Sequence, residues 1–179
     1  MLEKKIWKVA KNNIQIEELK ENLNFSETFL RLLAVRGFLT STKVKGLLYD
    51  GIEKLDDPRK IPGIEKGAQR IIRAIKMAQK IRIYGDYDVD GITATAMLYD
   101  YLKRQGACTD YYLPERLEEG YGLNQKAILK AKNDGVDIII TVDCGITGVK
   151  EVSYAKGLGM EIIITDHHQP PDILPDTEI

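Results

Sequence analysis

Ile81-Arg-Ile83-Tyr-Gly85-Asp86-Tyr-Asp88-Val-Asp90-Gly91 is the stretch on which the reading of this chain turns. A short β-like run ends at residue 84, a tight acidic turn follows, and a helical pattern opens at about Ile92 and runs to Arg104. The same kind of run recurs three more times downstream. Strand-like runs at Thr109 to Leu113, Asp137 to Val142 and Glu161 to Thr165 alternate with helical patterns at Asn124 to Lys132 and Thr147 to Lys156, with Asn124 placed to cap the first of them. Strands alternating with helices of about ten residues predict βαβ units and a parallel sheet with helices on both faces, an α/β fold. The runs Ile138-Ile139-Ile140 and Ile162-Ile163-Ile164 are continuous rather than alternating, as strands covered on both faces require.

Upstream, the pattern is helical in short pieces. Asn24 or Ser26 can cap a run containing Phe29, Leu30, Leu33 and Ala34 that Gly37 ends, and Thr40, Ser41 and Thr42 offer a second cap before Val44, Leu47 and Leu48. After a polar stretch with Asp56, Asp57 and Pro58, the residues Ile64, Ala68, Ile71, Ile72, Ile75 and Ala78 recur at helical spacing and predict a longer helix with one buried stripe. The expected organisation is a helical lead-in over residues 1–60 and a parallel-sheet domain over 61–179.

Composition limits the function classes. The chain has 179 residues, 44% hydrophobic and 30% charged, with a net charge of −1, the profile of an ordinary globular chain of one domain and an appendage. No apolar run approaches the roughly 18 residues of a membrane span, and the basic N-terminus leads into no apolar signal core, so a cytoplasmic protein with no membrane partner is the default expectation. Two cysteines, Cys108 and Cys144, are too few for a disulfide framework and lack the paired spacing of a zinc site.

Polar residues gather at the strand ends: Asp86, Asp88 and Asp90 after the first, Arg116 and Glu119 after the second, Asp143 after the third, and Asp166, His167 and His168 after the fourth. Open parallel sheets bind ligands at the carboxyl ends of their strands, so these groups should meet in one crevice. Several carboxylates there would repel one another unless cations neutralise them, and a mixed Asp and His set suits Mn²⁺ or Mg²⁺ better than a thiolate-preferring metal. Two ions roughly 3.5–4 Å apart would serve an in-line displacement at phosphorus. Each piece also has a plainer reading: Asp143 can cap the helix beyond Gly145, either histidine can be a hydrogen-bonded structural residue, and Asp90 is the acid that best fits a simple helix cap. An EF-hand loop starting at Asp86 fails because its twelfth position is Met97 where a bidentate Glu is needed. A phosphotransferase of the haloacid-dehalogenase type, which also begins on Asp-x-Asp after a strand, is weakened by Asp90 standing where Thr or Val is wanted. A thiol nucleophile at Cys144 is discounted, because neighbouring carboxylates would raise its pKa.

Tyr84-Gly-Asp86-Tyr-Asp88-Val-Asp90-Gly91, Pro114-Glu-Arg116 with Glu119-Gly-Tyr121-Gly122-Leu, Val142-Asp143-Cys-Gly145-Ile and Asp166-His167-His168 together resemble the successive motifs of the DHH phosphoesterases. The variant is that of their single-strand-specific 5′→3′ DNA exonucleases, and Leu55-Asp-Asp-Pro58 with the helix beyond it is similar to the same branch. The resemblance implies a DHH-type metal domain acting as a metal-dependent phosphodiesterase in DNA repair and recombination, with single-stranded DNA as substrate, two Mn²⁺ or Mg²⁺ ions, and replication or repair proteins as partners. It implies that Asp86 binds one ion, Asp88 and His167 the other, and Asp143 both. His168 would face the scissile phosphate, Asp166 would support the histidines, and Arg116 would contact phosphate unless it is ion-paired with Glu118 or Glu119. Catalysis is thus expected of His168, Asp143 and Asp88, and Asp90 stays with Asp166 outside the ligand set. Two departures stand out. Arg82 and Tyr84 occupy a region where many members have a histidine, so one ion would bind more weakly or through water. The chain also ends at Ile179, before the further metal-binding Asp, the second domain and the OB-fold that the resemblance implies, and so is expected to be cut short and inactive alone. A small-nucleotide or oligonucleotide phosphoesterase and a non-catalytic scaffold of the same family are the alternatives. Eight bases from Arg59 to Arg82 against the single acid Glu65, followed by an acid-rich segment, suggest a basic approach to an acidic site.

Overall fold

A computed structural model describes residues 16–115 and 119–177. Its contacts divide the chain into two units, Met1–Asp57 and Pro58–Ile179. No helix among the described residues is long and apolar enough to cross a membrane.

In the first unit, α1 (Glu17–Asn22), α2 (Glu27–Val35) and α3 (Ser41–Tyr49) close around Ile16, Leu19, Leu30, Leu33, Ala34 and Val44. Of the two cap candidates before α2 it is Ser26 that accepts the Phe29 N–H, and Thr40 does the same for Lys43 ahead of α3. The Glu18 carboxylate adds to that second cap by accepting from Ser41 N (2.9 Å) and Ser41 Oγ (2.8 Å).

The second unit carries α4 (Ile64–Lys76), β1 (Lys80–Gly85), α5 (Val89–Arg104), β2 (Cys108–Tyr112), α6 (Gln125–Asn133), β3 (Ile138–Val142), α7 (Val149–Gly157) and β4 (Glu161–Thr165). The four strands form one sheet in the order β2-β1-β3-β4, every pair parallel. Period-two alternation sorts the strand side chains. Ile81, Ile83, Ile138, Ile140, Val142 and Ile163 pack with Ala74 of α4 and Leu102 of α5, while Tyr84, Ile139 and Ile162 pack with α6 and α7 through Ile128, Ala131, Val152 and Ala155. Helices therefore cover both faces, which is why the isoleucine runs are continuous.

Register and order locate the site. The chain passes from β1 to β2 on one side of it, then crosses back to β3 on the other side and goes on outward to β4, so the switch point lies between β1 and β3, where open α/β sheets hold their ligands. Gly85 pairs with Val142 and Val142 with Thr165, so three adjacent strands run out at one level. The next residue in each is an aspartate: Asp86, Asp143 and Asp166.

Helix α5 starts earlier than its apolar pattern predicts, and this corrects the expected cap. Asp88, not Asp90, is the cap: its Oδ1 accepts from Asp90 N (3.0 Å) and Gly91 N (3.1 Å), while Asp90 lies inside the first turn. Gly91 permits this by close approach, since a Cβ there would lie 2.5 Å from the Asp86 carbonyl oxygen and 2.6 Å from its nitrogen. The expected basic approach is also corrected in part. Arg70 is held by Glu161 (2.6 Å). Arg82, 6% exposed, is bound to Asp110 (2.7 Å) and Asp134 (2.9 Å). Lys80 lies 3.2 Å from Asp110, at the start of β1 and so away from the strand ends that carry the aspartates. Buried or paired cations of this kind hold the sheet and the helices together rather than meeting a phosphate backbone.

Candidate metal centre

Asp86 and Asp143 are buried, 3% and 8% exposed, at the floor of the crevice between β1 and β3. Asp88 follows Asp86 at the α5 cap, and the two histidines come in from the end of β4. Ligand-capable atoms of Asp86, Asp88 and Asp143 lie within 4.8 Å of one another, as do those of Asp143, His167 and His168. Asp143 is common to both groups. By distance Asp88 keeps company with Asp86 rather than with His167, a different grouping from the one the motif resemblance implies.

The electrostatics follow from burial and partners. Burial pushes the Asp143 carboxyl above the usual range and the neighbouring Asp88 charge adds to this, against the pull of His167, whose Nε2 lies 2.9 Å away. The Gly91 amide, joined by that of Asp90, holds Asp88 below its ordinary value. Burial raises Asp166, but the N–H groups of Ile146 and His168 together with the His168 ring outweigh it, and the net shift is downward. His168 is raised in turn, chiefly by its 2.7 Å hydrogen bond from Nδ1 to Asp166 Oδ1. Asp166 thus spends both oxygens on the loop after β3 and on His168.

Two observations bear on whether this donor set fits a cation. Asp86 Oδ1 is fully buried with no hydrogen-bond partner among the described residues; an acceptor left so loses about 1–3 kcal/mol unless a positive group meets it. Asp143 sits at φ 61°, a left-handed backbone that persists at sites where surrounding structure over-determines it. The donors are carboxylate oxygens and imidazole nitrogens, the set that Mn²⁺ accepts readily. Cys144, in contrast, is fully buried, donates toward the Tyr84 carbonyl, and has its thiol pushed up to about 12, by burial first and by Asp166, Asp86 and Asp143 next, so it is no nucleophile.

Other expected residues fall elsewhere. Arg116 lies outside the described residues. Glu119 does not join the crevice acids: its carboxylate accepts from Tyr112 Oη (2.6 Å) and Asn124 Nδ2 (2.9 Å) and so fastens the loop after β2. Tyr84 donates to the Gly122 carbonyl (2.9 Å), so neither it nor Arg82 stands in for a metal-binding histidine. Tyr121, quoted above within a motif but given no role, has its hydroxyl 3.0 Å from His168 Nδ1 and 3.4 Å from the Asp143 carbonyl oxygen. Its bracketing glycines, Gly120 and Gly122, were the available signal.

The chain is similar to proteins of one family. The family model described as the DHH family, N-terminal domain, matches residues 80–179. The chain is 40% identical over 171 residues to the single-stranded-DNA-specific exonuclease RecJ of Bacillus subtilis (strain 168), covering 95% of this chain and 22% of that one. It is 35% identical over 153 residues to the RecJ of Escherichia coli (strain K12), covering 83% and 25%. The chain therefore spans about a quarter or less of the length of these relatives. Among solved structures, exonuclease RecJ bound to manganese superposes with a TM-score of 0.61 at 38% identity, over 64% of this chain and 30% of that one. RecJ of Thermus thermophilus in complex with Mn²⁺ gives 0.62 at 27% identity, over 91% and 22%. Since the family match runs through all four strands and the crevice in which they end, the chain belongs to the DHH family.

Proposed function

We propose that this chain carries the metal-binding half-site of a single-strand-specific DNA exonuclease that hydrolyses the terminal phosphodiester in the 5′→3′ direction. The observation that supports it most is the level ending of β1, β3 and β4 on Asp86, Asp143 and Asp166, with the chain's two histidines directly after the last. The relatives' names supply the substrate class, and the manganese in their structures is in keeping with the Asp and His donors here.

In this reading Asp86, Asp88, Asp143 and His167 would hold Mn²⁺ or Mg²⁺, with Asp143 a member of both donor groups and Asp88 reaching the set from the α5 cap. Bound there, the ions supply Lewis-acid stabilisation of charge on the phosphoryl oxygens and lower the pKa of water. The protein's part is to hold groups still. Asp166 takes the Nδ1 proton side of His168, which leaves Nε2 to meet a phosphate oxygen as charge develops on it. Asp143, fixed by its backbone and by His167, keeps the two donor groups at a constant spacing. Arg116 is assigned a phosphate contact from the motif alone, and Asp90 no ligand role.

The test is Asp143→Ala in the full-length gene product, assayed on 5′-labelled single strands and on dinucleotides. Loss of Mn²⁺ binding together with loss of single-strand cleavage is expected. Wild-type activity in the variant overturns the assignment, and a preference for dinucleotides over long strands overturns the substrate class.

A further inference from the structure

Tyr121 belongs to neither group of metal-capable side chains, yet the loop that carries it is built to aim it. Gly120 at φ 77° and Gly122 at φ 84° bracket this one residue with left-handed backbone that other residues rarely adopt. The loop is tied on both sides to the sheet and to α6: Glu119 to Tyr112 and Asn124, and the Gly122 carbonyl to the Tyr84 hydroxyl, which also accepts from Asn124 Nδ2 at 3.1 Å. A residue held this way has little freedom left to lose when its partners form.

Its partners are the Asp143 carbonyl at the end of β3 and the His168 ring just beyond the end of β4. A phenol has one proton to give, and His168 Nδ1–H already points at Asp166 Oδ1. The Tyr121 hydroxyl therefore donates to the Asp143 carbonyl, and its oxygen lies against the edge of the His168 ring, 3.0 Å from Nδ1 and 3.4 Å from Nε2, as a second acceptor beside the Nδ1–H that Asp166 holds. The rings of Tyr121 and His168 meet edge to face, centroids 5.5 Å apart. The Asp143 carbonyl belongs to the residue whose left-handed backbone must be held in place.

We propose that Tyr121 is a positioning residue, fastening the His168 imidazole to the Asp143 end of β3 so that the two stand at a fixed separation. The role rests on the phosphodiesterase reading for its effect on rate, but not for its effect on the imidazole. Tyr121→Phe keeps the ring packing and deletes only the hydroxyl, so it separates positioning from bulk.

Two readouts test it. In the full-length gene product, Tyr121→Phe should lower kcat roughly 10–100-fold with KM within about twofold, the size of effect seen when an orienting partner is removed from a metal site. In the metal-free chain, whose two histidines give only two sets of ring signals, the His168 ring resonances should shift and broaden while those of His167 hold. Glu119→Gln, which leaves the hydroxyl and slackens its loop, should move both readouts in the same direction by less, and it decides the matter should Tyr121→Phe fail to fold. Wild-type kcat with an undisturbed His168 ring overturns the proposal. Absence of nuclease activity in the wild type overturns the phosphodiesterase reading instead, and the ring signals then decide the positioning role alone.

Discussion

Gly91→Ala is predicted to damage fold and site together, although alanine is the better helix former. On propensity alone the change in the first turn of α5 would stabilise by about 1 kcal/mol. Against it stands the position of the new methyl group, 2.5 Å from the Asp86 carbonyl oxygen, 2.6 Å from its nitrogen and 2.7 Å from its carbonyl carbon. These are backbone atoms of the turn that presents Asp86, and no side-chain rotation relieves the overlap. Overpacking of this kind costs typically 1–3 kcal/mol, and contact with main chain puts it at the upper end, so the net loss is about 2 kcal/mol, roughly a 30-fold fall in the folding equilibrium constant. Urea unfolding reads the stability and titration calorimetry with Mn²⁺ reads the site. Gly157→Ala in the last turn of α7, where a Cβ meets nothing within 4 Å, is the control and should be neutral or stabilising by up to about 1 kcal/mol. A Gly91→Ala chain as stable as the wild type, with unchanged Mn²⁺ affinity, refutes the reasoning.

Asp110→Asn removes the partner that Arg82 grips with two nitrogens; since Arg82 keeps Asp134 and Asp110 is one-third exposed, the expected loss is about 2 kcal/mol by urea unfolding. The same carboxylate sets a pH dependence: burial raises it, but Arg82 and Lys80 outweigh burial and depress it below its ordinary value. A depressed carboxylate stabilises fully above its unfolded pKa and loses that contribution as pH falls through the folded value, so metal-free chain should weaken from about pH 5 downward, with a shallower acid limb in Asp110→Asn. Cys144, fully buried with its thiol near 12, should resist a thiol reagent at pH 8 while exposed Cys108 reacts, and both should react in urea.

Much of the fold was legible because burial on both faces leaves a plain mark. The isoleucine runs of β3 and β4 and the Asn124 cap of α6 were readable from single residues, and so was the meeting of Asp86, Asp143 and the histidines, which follows from parallel strands ending together. The buried stripe expected of α4 is not there: the helix buries Gly67 and Ala74, half-buries Ile71 and Ile75, and leaves Ile64, Ala68 and Ile72 exposed, because only a narrow strip of it meets the sheet. What escaped depends on contacts that spacing does not encode. Whether Asp88 or Asp90 caps α5 is decided by how closely Gly91 nests on the Asp86 backbone. The partners of Arg70, Arg82 and Glu119 are Glu161, Asp110 with Asp134, and Tyr112 with Asn124; the arginines' partners lie 28 to 91 residues away, so a local count of charges mistook bound cations for free ones. Tyr121 reaches His168 across 47 residues through a loop conformation set by two glycines.

Asp143 is the carboxylate common to both groups of donors, and Mn²⁺ titration calorimetry of the chain and of its Asp143→Asn variant tests its proposed part in metal binding most directly. The wild type should bind Mn²⁺, and the variant, keeping its fold by circular dichroism, should bind at least about 100-fold more weakly, since both groups of donors lose a member. A folded wild type that binds no Mn²⁺, or a variant that binds it as the wild type does, would contradict it.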